Sequence, residues 1–249
     1  MQGRGCPRAG AAVSLRRMKT IGMLGGMSWE SSAIYYRLLN REVQKRIGGL
    51  ASARTILHSF DFAEIAPLQR AGGWDEANRR MAEAALGLER AGADIVIMCC
   101  NTMHCATPQI EQAIRVPFLH IADPLGAAID RARLRRVALL GSKHTMEQDG
   151  ILLGRLKRRY GLDAIVPEGD DAAEVSRVIY EELVRGQFLD ASRDRYRAVI
   201  SKLAAAGAQG VILGCTELPM LVSPEDSTVP LFDTTTLHAM AAVDLALAV

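Results

Sequence analysis

Two cysteines occupy matching places in this sequence. Cys100 closes the apolar run from Ile95 to Cys99, and Cys215 closes the run from Val211 to Gly214. Both runs read as buried strands, so each thiol stands where a strand gives way to a turn and a helix, the place where open α/β sheets bind ligands. A helix N-terminus beside a thiol favours the thiolate and lowers its pKa. Two thiols on opposite faces of one cleft suit a specific reaction: one thiolate removes a proton from a carbon, and the opposite thiol returns a proton to the other face. The carbon is inverted.

The neighbours of the two thiols differ. Cys100 is followed by Asn101-Thr102, and Cys215 by Thr216-Glu217. Only the second has a carboxyl group in reach, and a nearby carboxylate disfavours a thiolate electrostatically yet can accept its proton as a general base. Glu217 therefore joins Cys100 and Cys215 as a candidate catalytic residue. Backbone N–H groups and small polar side chains at a helix N-terminus can hold a substrate carboxylate. The turns offering them contain Met27 and Ser28 (in Gly25-Gly26-Met27-Ser28), Asn101 and Thr102, Thr145 (in the turn from Ser142), and Thr216.

Each reading has a plainer rival. A cysteine at a buried strand end often serves as a small apolar filler, and Cys99, alternating to the other face of its strand, reads that way. The segment Cys100-Asn101-Thr102-Met103-His104-Cys105 is dense in possible metal ligands, but no CxxC or HxxxH partner occurs elsewhere, so no metal is expected. The spacing of Gly22, Gly25 and Gly26 is not that of a dinucleotide-binding GxGxxG. Trp29 reads as a packing residue and His58 as a strand-end residue.

The elements that must position these residues alternate along the chain. Strands are expected at 19–25, 54–59, 94–99, 117–121, 136–141, 163–166, 209–214 and 229–232, and helices at 30–47, 75–91, 146–160, 172–185 and 191–206. Eight such strands could close into a barrel or divide into two sheets. Internal similarity decides. Leu88, Ala91, Gly92, Ala93, Val96, Ile97 and Cys100 recur as Leu203, Ala206, Gly207, Ala208, Val211, Ile212 and Cys215, each 115 residues on. Leu24-Gly25 recurs as Leu140-Gly141 and Val116-Pro117 as Val229-Pro230, at offsets of 116 and 113. The fold class expected is α/β: two pseudo-symmetric open parallel-sheet domains of four strands each, produced by internal duplication. Equivalent residues should meet in the cleft between them.

The chain has 249 residues, 49% hydrophobic and 23% charged, with a formal net charge of +2. No run of 18 apolar residues suggests a membrane span, and the small, balanced charge offers no broad basic face for nucleic acid or an anionic membrane. A small-molecule ligand is the default. Five cysteines, odd in number and unevenly spaced, fit reduced thiols in a cytoplasmic setting. Residues 1–17 lack an apolar h-region and are expected to be a disordered N-terminal extension ahead of Met18.

Gly25-Gly26-Met27-Ser28-Trp29-Glu30, Cys100-Asn101-Thr102-Met103-His104 and Gly214-Cys215-Thr216-Glu217, in this order and spacing, resemble the cofactor-independent aspartate/glutamate racemase family over nearly all of 18–249. The resemblance is nearest the bacterial branch that acts on L-aspartate and L-glutamate or on a broad range of amino acids. It implies two domains with 2-1-3-4-type parallel sheets, an interdomain site, no PLP or metal, and a homodimer. It also implies a C-terminal helix that returns to the first domain, which gives domains of 18–117 plus 230–249 and of 118–229. Gln69, in Ala66-Pro67-Leu68-Gln69-Arg70, enters the candidate substrate-binding set through the resemblance alone. In glutamate racemases of this kind a histidine stands where this chain has Glu217, and an aspartate lies near the first Gly-rich turn; here no acid occurs from Ile21 to Trp29. The expected function is PLP-independent racemisation of aspartate, glutamate or a close dicarboxylic amino acid by proton transfer between two cysteines. The alternatives are hydantoin racemase, maleate isomerase or arylmalonate decarboxylase chemistry on related acids, or a non-catalytic amino-acid binding or thiol-redox protein.

Overall fold

The computed structural model describes residues 18–147 and 152–248. In chain order the elements are β1 (Ile21–Gly25), α1 (Trp29–Ile47), β2 (Thr55–Ser59), α2 (Phe62–Ala71), α3 (Trp74–Arg90), β3 (Ile95–Met98), α4 (Thr107–Ala113), α5 (Ala122–Arg131) and β4 (Arg136–Gly141). They continue with α6 (Leu153–Tyr160), β5 (Asp163–Ile165), α7 (Gly169–Glu181), α8 (Asp190–Ala205), β6 (Val211–Gly214), α9 (Leu218–Leu221), β7 (Leu231–Asp233) and α10 (Thr234–Leu247). The strands form two separate sheets, ordered β2-β1-β3 and β5-β4-β6-β7, with every pairing parallel. The chain is thus an α/β protein with two open parallel sheets, one to each lobe.

The duplication is visible in the backbone. After α3, Gly92 takes φ +97°, and after α8, Gly207 takes the same φ. In both turns the residue after the glycine donates its N–H 3.0 Å to a carbonyl in the last helical turn, Ala93 to Leu88 and Ala208 to Leu203. This left-handed glycine cap ends the helix and aims the chain into the strand that follows. Val96 then donates to the Pro117 carbonyl and Val211 to the Pro230 carbonyl, at 2.9 and 2.8 Å.

The copies differ at the strand expected over 117–121. Val96 brackets this segment with two backbone hydrogen bonds, to Pro117 and from Leu119, and only a single bridge to Phe118 results. Pro117 has no N–H to extend a ladder. The chain then turns away at His120, whose own carbonyl and ring nitrogen accept the next free N–H groups, from Asp123 and Ala122. The first sheet therefore has three strands rather than four. Of the helix expected over 146–160, Met146 and Glu147 lie in a turn, 148–151 lie outside the described residues, and the helix begins at Leu153. Helix α7 starts earlier than expected and stops at Glu181, with a short 3-10 turn over Leu183–Arg185. The N-terminal extension expected over 1–17 also lies outside the described residues.

Strands β1 and β3 of the first sheet are buried on both faces, while the edge strand β2 is half-buried to exposed. Ile21, Met23, Ile95, Ile97 and Cys99 pack against α1 and α10, while Leu24, Val96 and Met98 pack toward α3 and α4. Helix α10 thus returns to the first lobe. Strand β7 pairs with β6 in the second sheet, so we propose that the chain crosses back at residue 234 instead of 230.

The turn after β1 is fixed by contact. At Gly26, with φ +86°, a Cβ would lie 2.1 Å from the Phe60 carbonyl oxygen. Gly48 has a similar φ of +84° but open space around it. Gly26→Ala is therefore expected to cost more stability than Gly48→Ala, for which about 1–3 kcal/mol is expected because only the backbone conformation is penalised. Urea denaturation of the two variants checks the difference.

Candidate active site

A cavity of about 480 Å³ opens between the carboxyl ends of the two sheets. Four turns line it, two from each lobe: Met27 and Ser28 after β1, Cys100, Asn101 and Thr102 after β3, Ser142 and Thr145 after β4, and Gly214 through Glu217 after β6. Gln69 reaches it from α2. All ten residues nominated from the sequence meet here.

The turns touch across the lobes in a crossed pattern. Ser28, in the first turn of the first lobe, donates 2.9 Å to Oε1 of Glu217, in the second turn of the second lobe. Thr102, in the second turn of the first lobe, lies 3.2 Å from both Ser142 Oγ and Thr145 Oγ1, in the first turn of the second. These are equivalent contacts under the internal two-fold. They differ in chemistry, because one set is built on a carboxylate and the other on hydroxyls.

Glu217 is 2% exposed and its carboxylate is fully engaged. Ser28 and Ser31 each donate to Oε1 at 2.9 Å, and Thr216 Oγ1 and the Cys215 thiol donate to Oε2 at 2.5 and 3.1 Å. Ser31 was missed from the sequence. Its trace there is a pair of serines, weak helix formers, in the first turn of α1, capped by Ser28, which accepts from the Ser31 N–H.

Both thiols are free and both are harder to ionise than an ordinary cysteine. Burial pushes Cys100 up to about 11; the Met103 N–H pulls against this, the Glu217 charge adds to it, and the Thr102 N–H pulls against it again. Burial also pushes Cys215 well above the usual thiol range, and Glu217 pushes further, by its charge and by accepting the S–H. The expected lowering by helix N-termini is therefore reversed. The N–H groups are in place, but loss of water around sulfur outweighs them.

Asn101 supplies an acceptor. Its Nδ2 donates to Thr234 Oγ1, which itself donates to the Leu213 carbonyl, so the amide group is oriented with Oδ1 turned the other way. Among the described residues that buried oxygen has no hydrogen-bond partner. Beneath Cys100, His104 accepts the Ile121 N–H at Nε2, which leaves its Nδ1–H to donate 2.8 Å to the Cys100 carbonyl. The Cys105 thiol donates to Asn78 Oδ1. Cys99 faces the opposite core, as its alternation implied. Trp29 does not pack as expected: at the first position of α1 it is 66% exposed. Phe62, Ile179, Tyr180 and Val184 complete the cavity and carried no motif by which to find them.

Comparison with known proteins bears on this geometry. The Asp/Glu/Hydantoin racemase family matches residues 24–242. A Yersinia pestis structure described as a candidate Asp/Glu racemase is 47% identical, with a TM-score of 0.87, over 93% of this chain and 100% of that one. An aspartate racemase homologue from Pyrococcus horikoshii OT3 is 32% identical, with a TM-score of 0.79 and the same coverage. A broad specificity amino-acid racemase, RacX of Bacillus subtilis (strain 168), is 22% identical over 92% of this chain and 98% of its own length.

Removing the Glu217 charge tests the electrostatics of the pair. In Glu217→Gln the Cys215 thiol pKa is expected to fall, and that of Cys100 to fall by less, since Glu217 acts on Cys100 through charge alone. Iodoacetamide labelling against pH, resolved by peptide mass spectrometry, reads both. Labelling of Cys215 should accelerate at a lower pH in the variant than in the parent.

Proposed function

The chain belongs to the Asp/Glu/hydantoin racemase family, and from that premise we propose that it racemises aspartate, glutamate or a close dicarboxylic amino acid, without PLP, by proton transfer between Cys100 and Cys215. The observation that carries the reading is the meeting of both thiols on one cavity, with the only carboxylate among its described lining residues hydrogen-bonded to one of them.

Burial keeps both thiols protonated, so a base must be made. Transfer of the Cys215 proton to Glu217 Oε2, along the hydrogen bond already present, gives a thiolate and a neutral carboxyl group. The thiolate then takes the α-proton, and the Cys100 thiol delivers its own proton to the opposite face. Cys100 is left as the thiolate, and proton exchange with solvent after product release resets the pair. The carbanion formed between these steps places charge on the substrate α-carboxylate, where backbone N–H groups of the surrounding turns can stabilise it. The unpartnered Oδ1 of Asn101 suits the α-ammonium group.

A second cavity beside the first supports an acidic substrate. Arg70, Lys143, His144 and Arg185 line it, with no carboxylate among its described lining residues, and such a rim raises the local concentration of anions. No described helix is long and apolar enough to cross a membrane. A homodimer and a cytoplasmic setting remain companion proposals.

The test is racemisation of D- and L-aspartate and glutamate by purified protein without added cofactor. Cys100→Ser and Cys215→Ser are each expected to lower the rate by about 1,000-fold or more, because a hydroxyl is too weak an acid to supply the base at neutral pH. Each should spare the fold. Glu217→Gln is expected to slow proton abstraction from one enantiomer more than from the other, read as α-proton exchange started separately from each. Full racemisation in either serine variant would remove that cysteine from the mechanism.

A further inference from the structure

Helix α7 ends over the reaction cavity, and its residue Tyr180 has a place shared by no other described residue. The reaction cavity adjoins two larger outer cavities, of about 1100 and 1140 Å³, and Tyr180 lines all three. Tyr180 is 39% exposed and lies outside the buried core, whereas its neighbours Ile179 and Leu183 anchor the helix end within the core. An aromatic side chain that adds little to core packing stands here as a partition. Its surroundings agree. The phenol is raised mainly by burial; the Ser142 hydroxyl and Arg70 oppose the rise, and Cys100 and Cys215 add to it.

The wall between the reaction cavity and the cation-lined outer cavity consists of the residues common to both, Phe62, Gln69, Tyr180 and Val184. Phe62, Gln69 and Val184 also pack against or lie within the core. Tyr180 is the one of the four that belongs to neither lobe's core. Beyond it lie Arg70, Lys143 and Arg185, all exposed on the outer side.

We propose that the Tyr180 ring sets the length of substrate side chain the site accepts. With the ring present the reaction cavity holds short acidic amino acids; without it the cavity joins the outer one, and a longer side chain can place its carboxylate among the cations there. This rests on the racemase reading of the site.

The experiment compares Tyr180→Ala and Tyr180→Phe with the parent protein. Its first readout is kcat/KM for aspartate and for an acidic amino acid one methylene longer than glutamate. The ratio of long to short substrate is expected to rise by about 10-fold or more in Tyr180→Ala and to stay within about 3-fold in Tyr180→Phe, which keeps the ring. An unchanged ratio in Tyr180→Ala overturns the proposal. So does an equal shift in Tyr180→Phe, which would assign the effect to the hydroxyl. The second readout needs no turnover: labelling of Cys100 and Cys215 by a bulky N-aryl maleimide relative to iodoacetamide. That ratio should rise in Tyr180→Ala and not in Tyr180→Phe. If the parent protein racemises no amino acid, the racemase reading fails, while the labelling ratio still decides whether Tyr180 is the wall. Tyr180→Leu, which leaves a shorter apolar side chain on the helix, repeats the comparison should the alanine variant not fold.

Discussion

A single buried carboxylate holds the site together. Glu217 is removed from water, and an ionised group in that position would cost several kcal/mol if left without partners. Here four side-chain donors meet it, two from the first lobe and two from the second. Ser28 and Ser31 can donate only if the cleft is closed to hydrogen-bond distance, so satisfying this charge also fixes the spacing of the lobes. The same bonds place the Cys215 thiol against a proton acceptor. Geometry and acid–base chemistry at this end of the cavity have one cause.

The duplicated architecture explains why the two ends of the cavity differ in kind but not in layout. Matching glycine caps deliver matching strands, and the turns after β1, β3, β4 and β6 bring their polar residues to one cavity. Crossed contacts then pair the first turn of one lobe with the second turn of the other. Substitution within a shared frame has left hydroxyls on the Cys100 side and a carboxylate on the Cys215 side. Burial raises both thiols, and the charge raises Cys215 further. The two ends of the cavity thus carry unlike acid–base groups.

Much of this was legible in the residues. The repeat from Leu88 to Cys100 and from Leu203 to Cys215 located both thiols and both sheets, because helix, left-handed glycine turn and buried strand form one local unit with a strict pattern. The alternation of Cys99 and Cys100 between two cores followed from strand geometry. What was not legible depended on tertiary context. Segment 117–121 has strand-like composition, but Pro117 and the turn at His120 leave room for only one bridge. Ser31 looks like any helical serine until Glu217 is brought to it. Tyr180 sits in an amphipathic helix whose pattern does not distinguish solvent from the mouth of a cavity. The direction of the thiol shifts depended on how completely the cleft excludes water, a property of both lobes together.

The most direct test of the two-thiol account follows the α-proton. The protein is given L- or D-substrate in D2O, and at early conversion deuterium is measured separately in product and in recovered substrate. The account predicts deuterium in the product from both directions and almost none in the recovered substrate, since the thiol that delivers is not the one that abstracts, and its proton comes from solvent. Product that retains the original protium would mean that one base carries the same proton from face to face, and would contradict it.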